Sequence, residues 1–475
     1  MGRFLVPRND KKLKTYYLKL ITHNSQLLIL SLIIFTKMNY QQTIDYLFEQ
    51  LPMFSRIGAA AYKENLDNTI ALCNAIDNPQ TKFKSVHIAG TNGKGSTSHM
   101  LAAMLQAAGY KTGLYTSPHL IDFRERIKIN GNMISQEFVI DFVEQTKEVS
   151  NKIQPSFFEL TVAMAFDYFA KEQVDIAIIE TGLGGRLDST NIINPLLSII
   201  TNIGFDHMNL LGNTLEKICF EKAGIIKHNT PVVIGEYNEI TKPVFVEKAT
   251  SCNAPIYFAQ DEYTVDQIQP GNFQLHCEVT NIEQAITENF TLDLNGLYQI
   301  KNLKTILCAE GILQNLGFNI SNQQEKFALE NVKKLTGLHG RWDVIGTDPL
   351  IVLDVAHNED GIKQLIQQVN SMNIQFDKLH IIIGIVNDKD ISAMLTLLPK
   401  DASYYFSNAQ IPRALPAVAL QESAKQFGLT GNSYIDVNEA LNAAKNTAEK
   451  NDFIIVCGSV FLVAEVNELK TILST

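Results

Sequence analysis

Residues Val86–Ser96 read VHIAGTNGKGS, an apolar strand that runs directly into a glycine-rich turn, holds one lysine and ends on a hydroxyl. A chain builds a phosphate cradle this way. Successive backbone N–H groups point inward, glycines let the backbone approach closely, and the helix that follows offers its positive N-terminus. The turn is Thr91, Asn92, Gly93, Lys94, Gly95 and Ser96, with Lys94 set against the terminal phosphates and Ser96 or Thr97 adding hydroxyls. It departs from GxxxxGK[ST] in one respect: Gly95 separates the lysine from the serine.

The 475 residues suffice for two domains with a full core in each. A hydrophobic fraction of 45% and a charged fraction of 19% describe an ordinary soluble globular protein. The formal net charge of −10 argues against a nucleic acid or an anionic membrane as the main partner. Six scattered cysteines without a CxxC pair point to free thiols in a reducing cytoplasm.

At the N-terminus, Arg3, Arg8, Lys11, Lys12 and Lys14 precede Leu27–Phe35, an apolar run too short to span a membrane. No small-residue cleavage site follows it. Met38 opens MNYQQTIDYLF, an amphipathic-helix pattern. Residues 1–37 therefore read as an upstream extension unimportant to the fold, with a membrane tether as the other reading.

The middle of the chain alternates short apolar runs with helical patterns, which predicts a parallel-rich wound α/β sheet. Strands are expected at Val86–Ala89, Thr112–Thr116, Asp175–Glu180, Leu197–Asn202 and Val232–Gly235, and a helix over Lys94–Ala108 closed by Gly109. Residues 254–295 suggest a small antiparallel patch, and Leu297–Leu316 a further helix. A Rossmann-like unit follows, with strands Leu350–Val355, His380–Val386, Tyr404–Ser407 and Phe453–Gly458. The division expected is 38–335 for the ATP-binding domain and 336–475 for the C-terminal one, with Lys333–His339 as hinge.

Polar residues collect at strand ends, where open α/β sheets place ligands. The strand 175–180 ends in Glu180 and the turn TGLGGRLD, a carboxylate suited to Mg²⁺, which keeps waters and takes phosphate oxygens. The next strand ends in TNIGFDH, setting Asp206 and His207 beside it. By composition Lys222, in EKAGIIK, is a solvated helix residue. Arg341 and the run DVAHN, with Asp354, His357 and Asn358, could reach across a cleft toward a nucleotide.

Together these segments resemble the folylpolyglutamate synthase/dihydrofolate synthase family, bifunctional bacterial type, within the Mur-ligase superfamily. The resemblance rests on GTNGKGS (Gly90–Ser96), TSPHL (Thr116–Leu120), FRERI (Phe123–Ile127), FFELT (Phe157–Thr161), ETGLGGRLDSTN (Glu180–Asn191), Asp206–His207, EKAGIIK (Glu221–Lys227) and DVAHN (Asp354–Asn358). It implies a ligase that uses ATP and two Mg²⁺ ions to join L-glutamate to dihydropteroate and to reduced folates. The acceptor's carboxylate takes the γ-phosphate, and the glutamate amine then displaces phosphate from the acyl phosphate. Ser117, Glu180 and His207 become metal ligands. Lys222 becomes a carbamylated ligand to the second metal, which reverses the composition-based reading. Lys94, Lys222 and His207 are the catalytic set. Asn302, Arg341 and Asp354 match adenine, phosphate and ribose positions, and His357 joins the nucleotide side. Phe158 and Asp188 match the pterin positions, by stacking and by polar contact. Arg124 and Arg126 steer the anionic substrate or form structural ion pairs. Phe54–Asn68 is the expected pterin loop, with Ser407 and Arg413 the weak glutamate-site candidates. A cytoplasmic monomer follows from the same analogy.

Three rivals remain to be weighed. A folylpolyglutamate synthase alone would lack use for Phe158 and Asp188 as a pterin site. A peptidoglycan ligase would carry a UDP-sugar domain before the P-loop, and the 48 residues Met38–Ser85 leave no room for one. A regulatory P-loop module would have lost ligands that are present here: Ser117, Glu180, His207 and Lys222.

Overall fold

Strand β1 (Ser85–Ala89) is buried along its whole length, and a strand buried on both faces requires a covered parallel sheet around it. The computed structural model, which describes residues 37–474 apart from 54, 55, 57, 59–62, 271, 272, 372–375 and 388–390, supplies that sheet. The expected extension falls outside the described residues except for Lys37, and the expected pterin loop falls partly outside them.

The other strands of this sheet are β2 (Thr112–Tyr115), β3 (Ile127–Ile129), β4 (Asn132–Met133), β5 (Ile176–Glu180), β6 (Leu197–Ile200), β7 (Val232–Ile234) and β8 (Ile256–Phe258). Their order is β4-β3-β2-β5-β1-β6-β7-β8, parallel from β2 to β8, with β3 and β4 folded back antiparallel at one edge. With β1 in the centre, the tips of β1, β5 and β6 meet where the connections diverge.

One face is covered by α1 (Lys94–Ala107), whose residues Met100–Leu105 are all fully buried against Val86, Ile88 and Ile178. The other face takes α2 (Phe157–Lys171), started by a Ser156/Glu159 capping box. His87, alternating with Val86 and Ile88, points to this second side and bonds Thr190 Oγ1 at 2.8 Å. The antiparallel sheet of β9 (Tyr263–Pro270), β10 (Leu275–Asn281) and β11 (Ile286–Leu292) buries Leu275, Cys277, Val279 and Phe290 in the core shared with α1. Helix α4 (Gln299–Asn315) packs on the same face, after α3 (Leu215–Ala223) has passed beneath the P-loop.

The last sheet runs β12-β13-β17-β14-β15-β16: β12 (Asp343–Thr347), β13 (Leu350–Leu353), β14 (Leu379–Ile383), β15 (Ser403–Phe406), β16 (Gly431–Ser433) and β17 (Phe453–Cys457). All but the edge strand β12 are parallel, as a Rossmann-like unit requires. Helix α6 (Glu359–Ser371) follows β13 and opens with Glu359 and Asp360 in its first turn.

The segment expected to bend is more tightly held than its polar sequence suggests. Its first half belongs to α5 (Val332–Thr336). Thr336 Oγ1 pairs with His99 Nδ1 of the P-loop helix at 2.8 Å, and buried Lys128 donates to the Thr336 and Gly337 carbonyls. Backbone freedom is left at 337–340, where Gly337 and Gly340 are both left-handed.

Candidate active site

The P-loop leaves the buried end of β1 and is shaped from below by the end of β6. Thr91 Oγ1 donates to the Gly204 carbonyl at 3.1 Å and accepts its N–H at 2.9 Å. Asn202 Oδ1 accepts from Asn92 N, and Thr201 Oγ1 donates to Asn92 O at 2.6 Å. The fit leaves no space for a side chain: a Cβ on Gly90 would lie 1.8 Å from Thr201 Oγ1, and one on Gly93 2.4 Å from Asn302 Oδ1. Asn302, expected at adenine, thus also packs on the loop itself.

Two lysines meet on one carbonyl. Lys94 Nζ donates to Gly90 O at 3.0 Å and Thr91 O at 3.2 Å, and Lys222 Nζ, from the last turn of α3, donates to the same Gly90 O at 2.9 Å. Burial pushes the Lys222 ammonium down to about 7, and the positive charge of Lys94 pushes it the same way. Lys222 is not the solvated residue that composition suggested; it is 4% exposed. Glu180, at the tip of β5, is 4% exposed, and its Oε2 accepts from Ser117 N at 3.4 Å. Burial raises its carboxyl to about 7, opposed by Lys94 and Arg341.

His207 lies at the tip after β6 in a left-handed conformation, its N–H bonded to Asp206 Oδ1 at 2.8 Å. The facing wall comes from the second sheet. A Cβ on Gly95 would lie 3.6 Å from Arg341 Nη2, so the guanidinium hangs over the P-loop. Asn358 and Asn92 exchange amide hydrogen bonds at 3.0 and 3.2 Å, while Asp206 Oδ2 takes Asn358 Nδ2 at 3.3 Å and stands 3.5 Å from His357 Nε2. Asp354 is occupied: Oδ2 accepts from Tyr298 OH at 2.8 Å and Trp342 N at 2.9 Å, and Oδ1 from Ala356 N at 2.9 Å.

The expected P-loop residues, Ser117, Glu180, His207, Lys222, Asn302, Arg341, Asp354 and His357 all line one cleft of about 200 Å³. Phe158 and Asp188 do not line it. The Phe158 ring packs under the Gly182 backbone, where a Cβ would meet its Cζ at 2.5 Å. Asp188 is 3% exposed and spends its oxygens on Leu183 N, Thr190 N and Thr190 Oγ1. Asp188 shapes the glycine turn from within, an outcome the expectation of direct polar contact did not include.

Arg124 pairs with Asp122 at 2.7 Å, and buried Arg126 donates to His119 Nδ1 at 2.7 Å, so both serve local structure. Trp342, the neighbour of Arg341 in sequence, lies in the C-terminal core at 0% exposure against Phe453. Ser407 is buried with its hydroxyl unpartnered and, like Arg413, is absent from the cleft wall. The sequence reading missed Tyr298, and it left Asn358 at the cleft edge without its partner, because both act through contacts distant in sequence.

Among the described residues no three His, Cys, Asp or Glu side chains converge into an all-protein metal site. What converges around the phosphate cradle is Glu180, Ser117, His207 and Lys222, with Asp206 beside His207. The carboxylate and hydroxyl oxygens suit Mg²⁺ or Mn²⁺ held jointly with phosphate oxygens and water, and the imidazole adds a nitrogen donor.

A P-loop on one sheet is faced by an arginine and an acidic strand end from a second sheet, and the family models that match these two parts are those of an ATP-using ligase of the Mur type. The Mur ligase middle domain matches residues 88–309, and the Mur ligase, glutamate ligase domain matches residues 340–460. A dihydrofolate synthase/folylpolyglutamate synthase of Bacillus subtilis is 32% identical over 417 residues, covering 86% of this chain and 95% of that protein. Escherichia coli FolC in complex with DHPP and ADP superposes with a TM-score of 0.78 at 26% identity, over 92% of this chain and 99% of that one. The bifunctional enzyme of Yersinia pestis complexed with AMPPNP and Mn gives 0.77 at 28% identity, over 92% and 98%. The chain belongs to the dihydrofolate synthase/folylpolyglutamate synthase family of Mur ligases. No helix among the described residues is long and apolar enough to cross a membrane.

Proposed function

We propose that this chain joins L-glutamate to 7,8-dihydropteroate and to reduced folates at the expense of ATP, through an acyl phosphate, with residues 38–335 and 336–475 as its two domains. The observation that carries the reading is the convergence of the P-loop, Glu180, Lys222, His207 and Arg341 on one cleft. The acceptor's carboxylate oxygen attacks the γ-phosphorus and ADP leaves. The glutamate amine then attacks the acyl carbon, phosphate departs, and the amine loses a proton. Lys94, released from the Gly90 carbonyl, and Arg341 neutralise the moving phosphoryl charge in this reading, which the bond of Lys94 to the loop and the nearness of Arg341 to Gly95 support.

Ser117, Glu180, His207 and Lys222 would hold Mg²⁺ with the phosphates. When bound, the metal supplies charge neutralisation and a fixed meeting point for two anions. With its pKa lowered to about 7, the Lys222 amine is about half unprotonated at pH 7, and that fraction has a free lone pair. Lys222 Nζ can therefore add to CO₂ and release a proton, becoming an anionic oxygen donor. Phe158 is the proposed pterin-stacking residue, with Asp188 holding the turn beside it. The enzyme is proposed to act as a cytoplasmic monomer.

Phosphate release with ATP, Mg²⁺ and L-glutamate tests this, comparing 7,8-dihydropteroate with tetrahydrofolate as acceptor. Turnover on both is expected. Turnover on tetrahydrofolate alone would remove the pterin role of Phe158 and Asp188, and none on either would overturn the ligase reading.

A further inference from the structure

Trp342 adopts a left-handed backbone, φ +51°, while wholly buried. A bulky residue holds such a conformation only where its surroundings over-determine it, and such positions gather at functional sites. The surroundings are specific here. The Trp342 N–H is taken by Asp354 Oδ2 at 2.9 Å, and the same oxygen accepts the Tyr298 hydroxyl at 2.8 Å. Tyr298 belongs to the other side of the cleft. It is the N-cap residue of α4, the helix that carries Asn302 against Gly93 of the P-loop. Its ring is wedged over Gly296, where a Cβ would lie 2.7 Å from it.

We infer that Tyr298, Asp354 and the Trp342 amide form a bracket across the two walls, which aims Arg341 at the P-loop. Tyr298 is a positioning residue for phosphoryl transfer. The bracket works because one rigid helix touches both walls. At Asn302 it meets the loop that cradles phosphate, and at Tyr298 it fixes the carboxylate that ties down the turn next to Arg341. Asp354 Oδ1 meanwhile holds Ala356 N, so the same carboxylate also sets the turn leading to His357 and Asn358. With the bracket made, Arg341 is held in one place rather than over a range of places. This inference rests on Arg341 acting at the nucleotide's phosphates.

Tyr298→Phe removes one hydroxyl and keeps the ring. Steady-state phosphate release should fall by about tenfold in kcat/KM for ATP, since small misplacement of a charged group is costly, with the melting temperature nearly unchanged. The deciding measurement repeats the change in an Arg341→Ala background. There Tyr298→Phe should cost nothing further, whereas a merely structural role would give the same loss in both backgrounds. Equal losses in the two backgrounds, or no loss in the first, overturn the bracket. If Arg341→Ala alone leaves kcat/KM for ATP unchanged, the phosphate role of Arg341 falls and the inference falls with it. Asp354→Asn supplies a second arm should Tyr298→Phe fold poorly, because the amide keeps one acceptor oxygen and its NH₂ must face either the Ala356 N–H or the Tyr298 and Trp342 donors; the same non-additivity with Arg341→Ala is expected.

Discussion

On the P-loop wall of the cleft, Gly90, Gly93 and Lys94 lie within a single turn and take their geometry from one strand–turn–helix unit braced by β6. On the facing wall, Arg341, Asp354 and Asn358 are positioned by partners elsewhere in the chain: Tyr298, Asn92 and Asp206. The first wall is backbone geometry, fixed by close steric contact with Thr201 and Asn302. The second is a set of side-chain hydrogen bonds across the seam. Binding phosphate thus depends on a turn whose backbone is packed too closely for side chains, while presenting charge to it from the other sheet depends on hydrogen-bonded side chains.

If the first wall depends on sterics, the smallest addition to it should do the most damage. Gly90→Ala drives a methyl group into Thr201 at a backbone angle of φ +150°. It should reduce stability by about 2–4 kcal/mol through overpacking and strain, and lower kcat/KM for ATP by at least about 100-fold. Thermal denaturation with and without an ATP analogue measures the first, and steady-state phosphate release the second. A variant that still gains stability from the analogue as the parent does would show that the loop is not sterically defined.

Lys222→Ala separates chemistry from binding on the same wall. Lys222 lies against the Gly90 carbonyl and is proposed to serve as an oxygen donor only once carbamylated. A fall in kcat of about 10²–10³-fold is expected, as for loss of a charge-stabilising group, with analogue affinity held within about threefold. Label from ¹³C-bicarbonate should appear as a carbamate resonance in the parent and vanish in the variant. Undiminished turnover would end the carbamate reading.

The contrast between the walls also explains what could be read in advance. The wound sheet, the small antiparallel patch and the Rossmann-like unit follow from apolar periodicity, and the P-loop follows from VHIAGTNGKGS itself. Position at strand ends brought Glu180, His207 and Asp354 forward. Lys222 was misjudged by composition because its environment is burial under Gly90, a tertiary fact. Adjacency in sequence does not put Trp342 beside Arg341 in the cleft: Trp342 is buried in the C-terminal core while Arg341 lines the cleft. Asp188, expected at the pterin, hydrogen-bonds within the turn it closes, to Leu183 and Thr190. For Lys222 and Trp342 the missing information was a partner far along the chain, Gly90 and Phe453 respectively.

Asn358 measures how much the seam contributes. Its amide pairs reciprocally with Asn92 and donates to Asp206. Asn358→Ala should raise KM for ATP by about 3–10-fold, the worth of a hydrogen bond or two, with kcat less affected. Adding Asn92→Ala should cost little more. Fully additive effects would mean that the two asparagines act on the nucleotide independently and that the walls are not interlocked.

The smallest effect is expected away from the cleft, at a buried carboxyl without the partners Asp354 has. Glu325 is 8% exposed and its Oε1 finds no hydrogen-bond partner. Burial raises its pKa from 4.5 to about 8, helped by the charges of Glu310 and Glu288. The folded chain therefore holds a proton that the unfolded chain releases above pH 4.5. The stability this represents is complete below pH 4.5 and is lost as pH rises through 8. Glu325→Gln, which cannot ionise, should match the parent near pH 5 and exceed it at pH 9 by about 1–2 kcal/mol, or a few degrees in melting temperature. Activity at pH 7 should be untouched, because Glu325 is not part of either wall. A variant equally stable to the parent at pH 9 would mean that the carboxylate is solvated in the folded state. Buried carboxyls would then be tolerated in this molecule with or without the bracing that Asp354 receives.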